Sequence, residues 1–202
     1  MPAVPRAIRI GVIGGECTGK STLAADLADD LSRTLRDRQG AAPSVAVVGE
    51  QLREFVARNG RTPRMAEQAG IMAAQQEAED QAAQASDLVI ADPAAVLTAV
   101  YSELYFSDGR LWPAAASAGR GYALLLWCRP DLPWEADPGQ RDGPAHRQQA
   151  DEIIARAVRD GTLMALPVDG NREHRRRQAV MHAIAALRAT GVWRESEPGI
   201  RT

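Results

Sequence analysis

The N-terminal unit "AIRIGVIGGECTGKSTLAADLADDL" constrains the fold more tightly than any other stretch of the chain. An apolar run of strand length ends in a glycine-rich turn, and Leu23, Leu27, Leu31 and Leu35 then recur every four residues as one apolar stripe on a helix. The same alternation continues: strands are expected at residues 44–50, 87–92, 122–128 and 162–168, and helices at 51–58, 64–85, 94–105, 148–160 and 172–189. Segments such as "DLVIAD" and "YALLLWC" are apolar throughout, which means that both of their faces are covered. Alternating β and α units of this kind build an α/β three-layer sandwich, a parallel sheet of about five strands flanked by helices. Residues 106–121, rich in Gly, Pro and Ala, read as a loop, and "LPWEADPGQRDGPAHR" has too many Pro, Gly and charged residues for a packed element. Residues 1–190 are expected to form one domain and residues 191–202 a loose tail.

Composition removes several classes. With 24 Lys plus Arg against 26 Asp plus Glu the formal net charge is −2, so no global field holds the chain on a polyanion, and nucleic acid is not an expected partner. Cys17 and Cys128 are too few for a disulfide framework or a zinc site and suit a reducing interior. The N-terminus runs directly into a strand, and no apolar stretch reaches about 18 residues, so a cytoplasmic protein with no membrane partner is expected. A homo-oligomer is compatible with all of this.

Every basic residue but one is arginine, and the single lysine, Lys20, lies in "GGECTGKST". Gly14, Gly19, Lys20 and Ser21 satisfy G-x-x-x-x-G-K-[ST] between a strand and a helix, the context that this phosphate-binding pattern (the P-loop, or Walker A) requires. Glycines let the loop wrap with its N–H groups facing an anion, and the dipole of the following helix adds to the field. A compact ammonium reaches the β- and γ-phosphates inside so tight a loop, whereas a planar guanidinium is bulkier. Gly14, Gly15, Glu16, Cys17, Thr18, Gly19, Lys20, Ser21 and Thr22 are therefore the expected ATP cradle. The Ser21 hydroxyl and the Asp92 carboxylate, at the end of an apolar strand, are the expected groups for Mg2+. Cys17 reads as a small tolerated side chain.

Guanine-reading GTPases carry an Asn-Lys-x-Asp segment, which a chain with one lysine in its P-loop cannot contain. Motors and translocases of the AAA+ type need more chain. Small-molecule kinases need about this length and an arginine-bearing lid that excludes water, and residues 131–147 have that composition. The blocks "GGECTGKSTL", "GEQLREFV", "VIADPAAVLTAVYSELYF" and "LPWEADPGQRD", in this order, resemble the ribosylnicotinamide kinase domain of the NadR type, a P-loop ATPase/kinase of AAA type, over residues 8–168. That resemblance implies transfer of the ATP γ-phosphoryl to the 5′-hydroxyl of nicotinamide riboside, giving nicotinamide mononucleotide.

On this resemblance the catalytic residues are Lys20, Glu50, Asp92 and Arg141, and the nucleoside contacts Glu50, Arg53, Glu54, Asp92, Tyr101, Trp134 and Asp137. Pro93 and Ala94 stand where relatives often carry threonines, and Pro138 adds one residue between Trp134 and Arg141. Simpler roles compete for several of these side chains. Arg53 and Glu54 can pair on an exposed helix face, Trp134 can anchor the loop, Tyr101 and Tyr105 can pack in the core, and the run "NREHRRR" reads as a solvated basic face. His146, His174 and His182 show no ligand spacing. Two other functions stay open: phosphorylation of another nucleoside or metabolite, and a regulatory ATPase that acts by changing shape.

The lone lysine yields the first prediction. Lys20→Ala and Lys20→Arg both abolish phosphoryl transfer while leaving the fold intact, because the side chain faces a phosphate rather than the core. Turnover and thermal melts of the two variants check it; near-normal turnover in Lys20→Arg refutes it.

Overall fold

The computed structural model describes residues 7–37, 39–134 and 143–195. Five strands form one parallel sheet: β1 (Ile8–Ile13), β3 (Val45–Val48), β4 (Leu88–Ala91), β5 (Leu124–Cys128) and β6 (Ala165–Val168), in the order β3-β4-β1-β5-β6. The register sets Gly11 opposite Ala91 on one side and Leu125 on the other, which brings the ends of β1 and β4 to the same edge. A two-residue strand β2 (Leu35–Arg36) pairs antiparallel with β7 (Arg194–Glu195) outside the sheet.

Helices cover both faces. On one, α1 (Lys20–Thr34) packs beside α7 (Arg172–Ala189), and its leucine stripe, Leu23, Leu27 and Leu31, closes with Ile10, Val12, Leu126 and Ala183 into one core. On the other lie α3 (Gln68–Ala85), α4 (Leu97–Phe106), α5 (Trp112–Gly119) and α6 (Pro144–Arg159), around Ile13, Leu97, Val100, Leu125 and Ile154. A short helix α2 (Gln51–Asn59) follows β3 and buries no residue of its own; a 3-10 turn, Met65–Glu67, leads into α3. The β4–α4 connection lies against the sheet because β1 has no side chain at Gly11, where a Cβ would stand 2.7 Å from Ala94 Cβ and 2.5 Å from Leu125 Cδ2.

Four elements differ from the sequence reading. Part of the expected loop 106–121 is α5, which begins with Pro113 in its first turn, and an alanine-rich sequence suffices once Ala115 has a core to enter. The fourth helix starts at Leu97 rather than 94, because residues 92–96 form an irregular buried turn. The region expected as a lid is shorter at its far end: residues 144–147 are the first turn of α6. After α7, in the stretch read as tail, Trp193 is 9% exposed and packs on the α1/α7 core, next to β7. Among the described residues no helix is long and apolar enough to cross a membrane.

Candidate active site

The loop from Gly14 to Gly19 turns back on itself between β1, the central strand, and α1. Gly14 has φ 147°, and a Cβ there would stand 2.6 Å from the Cys128 carbonyl oxygen, so only glycine fits at the start of the turn. Cys17 takes the left-handed conformation, φ 51°, inside the loop, a strained position for a side-chain-bearing residue. Thr18 Oγ1 and Lys20 Nζ both donate to the Gly15 carbonyl, at 2.8 and 2.7 Å, which holds the loop closed from within. Ser21 and Thr22 lie exposed in the first turn of α1.

Asp92 stands at the carboxyl end of β4, beside β1, and is 8% exposed. Its N–H donates to Val48 O at 2.8 Å, and the Ala94 N–H donates to Val12 O at 3.0 Å, so the turn is fastened to both neighbouring strands. Its Oδ1 is buried with no hydrogen-bond partner among the described residues. Burial of such an oxygen costs free energy unless something fills its lone pairs, and a divalent cation with its water is a chemically fitting occupant. No cluster of three His, Cys, Asp or Glu side chains exists among the described residues, so a cation here would rest on Asp92, Ser21, water and phosphate. The Cys128 thiol, between Lys20, Arg175 and Asp92, is pushed up to about 11 by burial, against the pull of the two cations.

Across the same edge, Glu50 is the N-cap residue of α2 and accepts the Arg53 Nε at 2.9 Å. Arg53 pairs with Glu50, and Glu54 is exposed in the same first turn of α2. Tyr101 stacks on Tyr105 at 5.8 Å between ring centroids, and Tyr105 on His146 of α6 at 6.0 Å. Tyr101 packs against the core while Tyr105 is 41% exposed, so the pair runs from the interior to the surface. Trp134 is half-buried, with the Arg147 guanidinium 5.4 Å from its ring centroid. Arg147 also donates to Leu132 O at 2.8 Å and Cys17 O at 3.4 Å, joining the P-loop to the start of the lid region. Arg129 is engaged elsewhere, stacked on Trp127 and paired with buried Asp151. Asp137 and Arg141 lie outside the described residues.

Two features escaped the sequence reading. The first is Arg175, 3% exposed, which corrects the expectation of a solvated basic run. It donates to Thr18 O of the P-loop at 2.9 Å, to Arg129 O and Gly170 O at 2.8 Å each, and to the Asp131 carboxylate. Its neighbours Arg172 and Arg176 pair with Asp26 and Asp30 on α1, which fastens α7 to the helix behind the loop. The second is Glu79, 1% exposed on α3, which accepts the Tyr122 hydroxyl at 2.7 and 2.9 Å and the Ala95 N–H at 3.3 Å. Burial pushes its carboxyl up to about 7 and overrides these donors, and Tyr122, packed against it, is raised as well.

A central strand that feeds a glycine-rich loop and a helix, with a carboxylate ending the adjacent strand of a β3-β4-β1-β5-β6 sheet, defines a P-loop nucleotide-binding domain. The chain belongs to an AAA domain family whose model matches residues 9–175. In the solved structures it is similar to NadR protein in complex with NAD and AMP-PNP, at 21% identity and a TM-score of 0.66, over 96% of this chain and 52% of that one. NadR protein in complex with NR matches at 20% identity and a TM-score of 0.66, over 96% and 54%; the chain thus spans about half the length of the NadR chains. A deoxyadenosine kinase from M. mycoides matches at 10% identity, a TM-score of 0.55, and 90% and 100% coverage. At these identities the likeness extends to the fold. No curated protein matches the chain.

The raised Glu79 carboxyl carries a stability prediction. Protonated Glu79 is at no disadvantage in the fold, whereas in an unfolded chain the group ionises near 4.5, so stability is full below that pH and is lost as pH rises through about 7. Glu79→Gln removes the loss. Its stability relative to wild type rises between pH 4.5 and 8 by on the order of 2–3 kcal/mol, read from urea unfolding at the two ends. A constant difference across that range refutes it.

Proposed function

We propose that the chain is an ATP- and Mg2+-dependent kinase that phosphorylates the 5′-hydroxyl of nicotinamide riboside. The observation that carries the reading is Asp92: a buried carboxylate with an unpartnered oxygen, at the end of the strand next to the P-loop. Sites that transfer the γ-phosphoryl group place a carboxylate there, and the half-exposed Glu50 faces the same edge, where an acceptor lies. Fold likeness to NadR and to a deoxyadenosine kinase supports a kinase, and the "E-x-x-R-E-F-V" and "L-P-W" blocks support the acceptor.

In this reading the loop amides and Lys20 bind the β- and γ-phosphates, and Ser21 and Asp92 would hold Mg2+, which would supply positive charge against them. Glu50 or Asp92 orients the ribose hydroxyl and takes its proton as the O5′–P bond forms and the bond from phosphorus to the ADP oxygen breaks. Trp134 closes over the bound ligands, and Arg141 reaches the transferring group. Arg53, Glu54, Asp137 and Tyr101 complete the acceptor pocket. Nicotinamide riboside carries a fixed positive charge on its ring, which carboxylates and tyrosine faces attract; cation–π contact contributes about 0.5–2 kcal/mol. The enzyme acts in the cytoplasm.

The arginine assignment is testable. Arg141→Ala lowers kcat on the order of 10³-fold while the KM for ATP changes little. If kcat survives in Arg141→Ala and falls in Arg147→Ala, the role passes to Arg147, whose guanidinium already meets the P-loop at Cys17 O.

A panel of nucleosides with ATP and Mg2+, scored by mononucleotide formation, tests the acceptor. Nicotinamide riboside exceeds uridine, cytidine and adenosine at least about tenfold in kcat/KM, equivalent to 1.4 kcal/mol. Nicotinic acid riboside, with an added carboxylate, is poorer too. Preference for a neutral nucleoside overturns the acceptor and keeps the kinase; no product from any of them favours the regulatory ATPase.

A further inference from the structure

Glu50 begins α2 and Asp92 an irregular turn, and a backbone donor just past each finds an acceptor on one face of α3. Gln51, the first residue of α2, donates its N–H to Gln75 Oε1 at 3.0 Å. One helical turn further along α3, Glu79 accepts the Ala95 N–H, which is three residues past Asp92, and the Tyr122 hydroxyl accepts the same N–H at 3.0 Å. Gln75 and Glu79 are 3% and 1% exposed, in a helix whose composition is otherwise polar and alanine-rich. Buried side chains of this polarity cost stability unless their hydrogen bonds serve the structure around them.

The α2 end shows what that service is. A short polar side chain at an N-cap ordinarily folds over to accept from the second or third N–H of its own helix. Glu50 makes no such cap: the Arg53 N–H goes to the Glu50 carbonyl oxygen at 3.2 Å, and the Gln51 N–H, which no N-cap side chain serves, is taken by Gln75 from another helix. Gln75 thus fixes the first turn of the helix that Glu50 begins, while the Glu50 carboxylate meets Arg53. At the other end, Val96, the N-cap residue of α4, offers no side-chain acceptor, and the buried Ala95 donor is met by Glu79 and Tyr122 instead. The Asp92 turn is then held from three directions: by Val48, by Val12 and by the Glu79–Tyr122 pair.

We infer that Gln75 and the Glu79–Tyr122 pair are positioning residues, and that α3 sets the separation between the acceptor-side carboxylate Glu50 and the phosphate-side carboxylate Asp92. The inference rests on the roles proposed above for Glu50 and Asp92. The backbone donor that each anchor meets belongs to a different turn, Gln51 for Gln75 and Ala95 for the Glu79–Tyr122 pair. Loss of Gln75 lets α2 swing and weakens hold on the nucleoside; loss of the Tyr122 hydroxyl loosens the Asp92 turn and weakens the use of Mg2+. A role confined to core packing lowers the melting temperature without this division.

Gln75→Ala and Tyr122→Phe, which keeps the ring, test it in the full chain. Gln75→Ala raises the KM for nicotinamide riboside about tenfold and leaves the KM for ATP within twofold. Tyr122→Phe leaves the nucleoside KM within twofold, lowers kcat about tenfold, and raises the Mg2+ concentration for half-maximal activity. Glu79→Gln, which keeps an acceptor oxygen for Tyr122 and Ala95, retains most of the activity that Glu79→Ala loses. Identical kinetic changes in Gln75→Ala and Tyr122→Phe, or altered melting alone, overturn the inference. Should wild type phosphorylate no nucleoside, the acceptor reading fails by itself, and fluorescence titration of AMP-PNP with and without Mg2+ decides this one. A smaller Mg2+ enhancement of affinity in Tyr122→Phe than in wild type supports it, and an equal enhancement overturns it.

Discussion

The guanidinium of Arg175 is the junction on which the phosphate end of the molecule depends. It lies where β1, β5 and β6 release their loops, and it ties Thr18 of the P-loop, Arg129 past β5, Gly170 past β6 and the Asp131 carboxylate to one planar group. Arginine suits such a place because its fixed fork of donors meets several acceptors at once and never loses its charge. A buried cation is stable only when every donor is met, so the loops cannot move independently without stranding it. Removing one partner of a buried charge typically costs about 3–5 kcal/mol, more than any single surface ion pair of α7 contributes. The loop that wraps phosphate is therefore rigid for two reasons: glycine geometry at Gly14 and a buried clamp from α7.

The strand, glycine loop and helix of the proposed donor half were legible in the sequence. Their signals are local: an apolar strand, a glycine pattern and a leucine stripe follow each other directly, and the sole lysine falls inside that pattern. Arg175 was illegible for the opposite reason. All five residues from 173 to 177 are charged or histidine, a run that periodicity alone assigns to solvent, and only the arrival of three distant loops turns Arg175 inward. Gln75 and Glu79 were hidden in the same way, since an alanine-rich helix with scattered polar residues shows no apolar stripe to say which face is buried. The α5 helix was missed because Gly, Pro and Ala read as turn chemistry, although Pro in a first turn and Ala against a core are both helix-compatible.

The two halves of the proposed site differ in how firmly they are built. Asp92 sits in a turn of entirely buried residues, fixed to β1 and β3 by backbone bonds and to α3 by side chains. Glu50 and Arg53 ride on α2, which buries no residue and meets solvent along most of its length. A helix with so little buried apolar surface belongs to the low-stability end of a fold, where opening costs less than global unfolding. Phosphate chemistry needs preorganised charge, and the rigid half supplies it. An acceptor has to enter and a product has to leave, and the softer half faces that traffic.

This division bears on how an acceptor is selected. A rigid P-loop accepts the triphosphate of any suitable nucleotide through backbone groups that read no base. In the proposed reading, discrimination among acceptors then falls on the few side chains at the softer edge, Glu50 and Arg53 first among them. Arg53 holds Glu50 at 2.9 Å, which offsets part of the negative charge that a cationic acceptor would meet. That pair is half-exposed, and an exposed ion pair is worth little, so a ligand that brings its own positive charge competes with Arg53 at small cost. Neutral acceptors gain nothing by displacing it. Selectivity for a cation thus does not require a bare carboxylate waiting in the pocket; it requires one whose present partner is weakly held, and Glu50 meets that condition while the fully buried Glu79 does not.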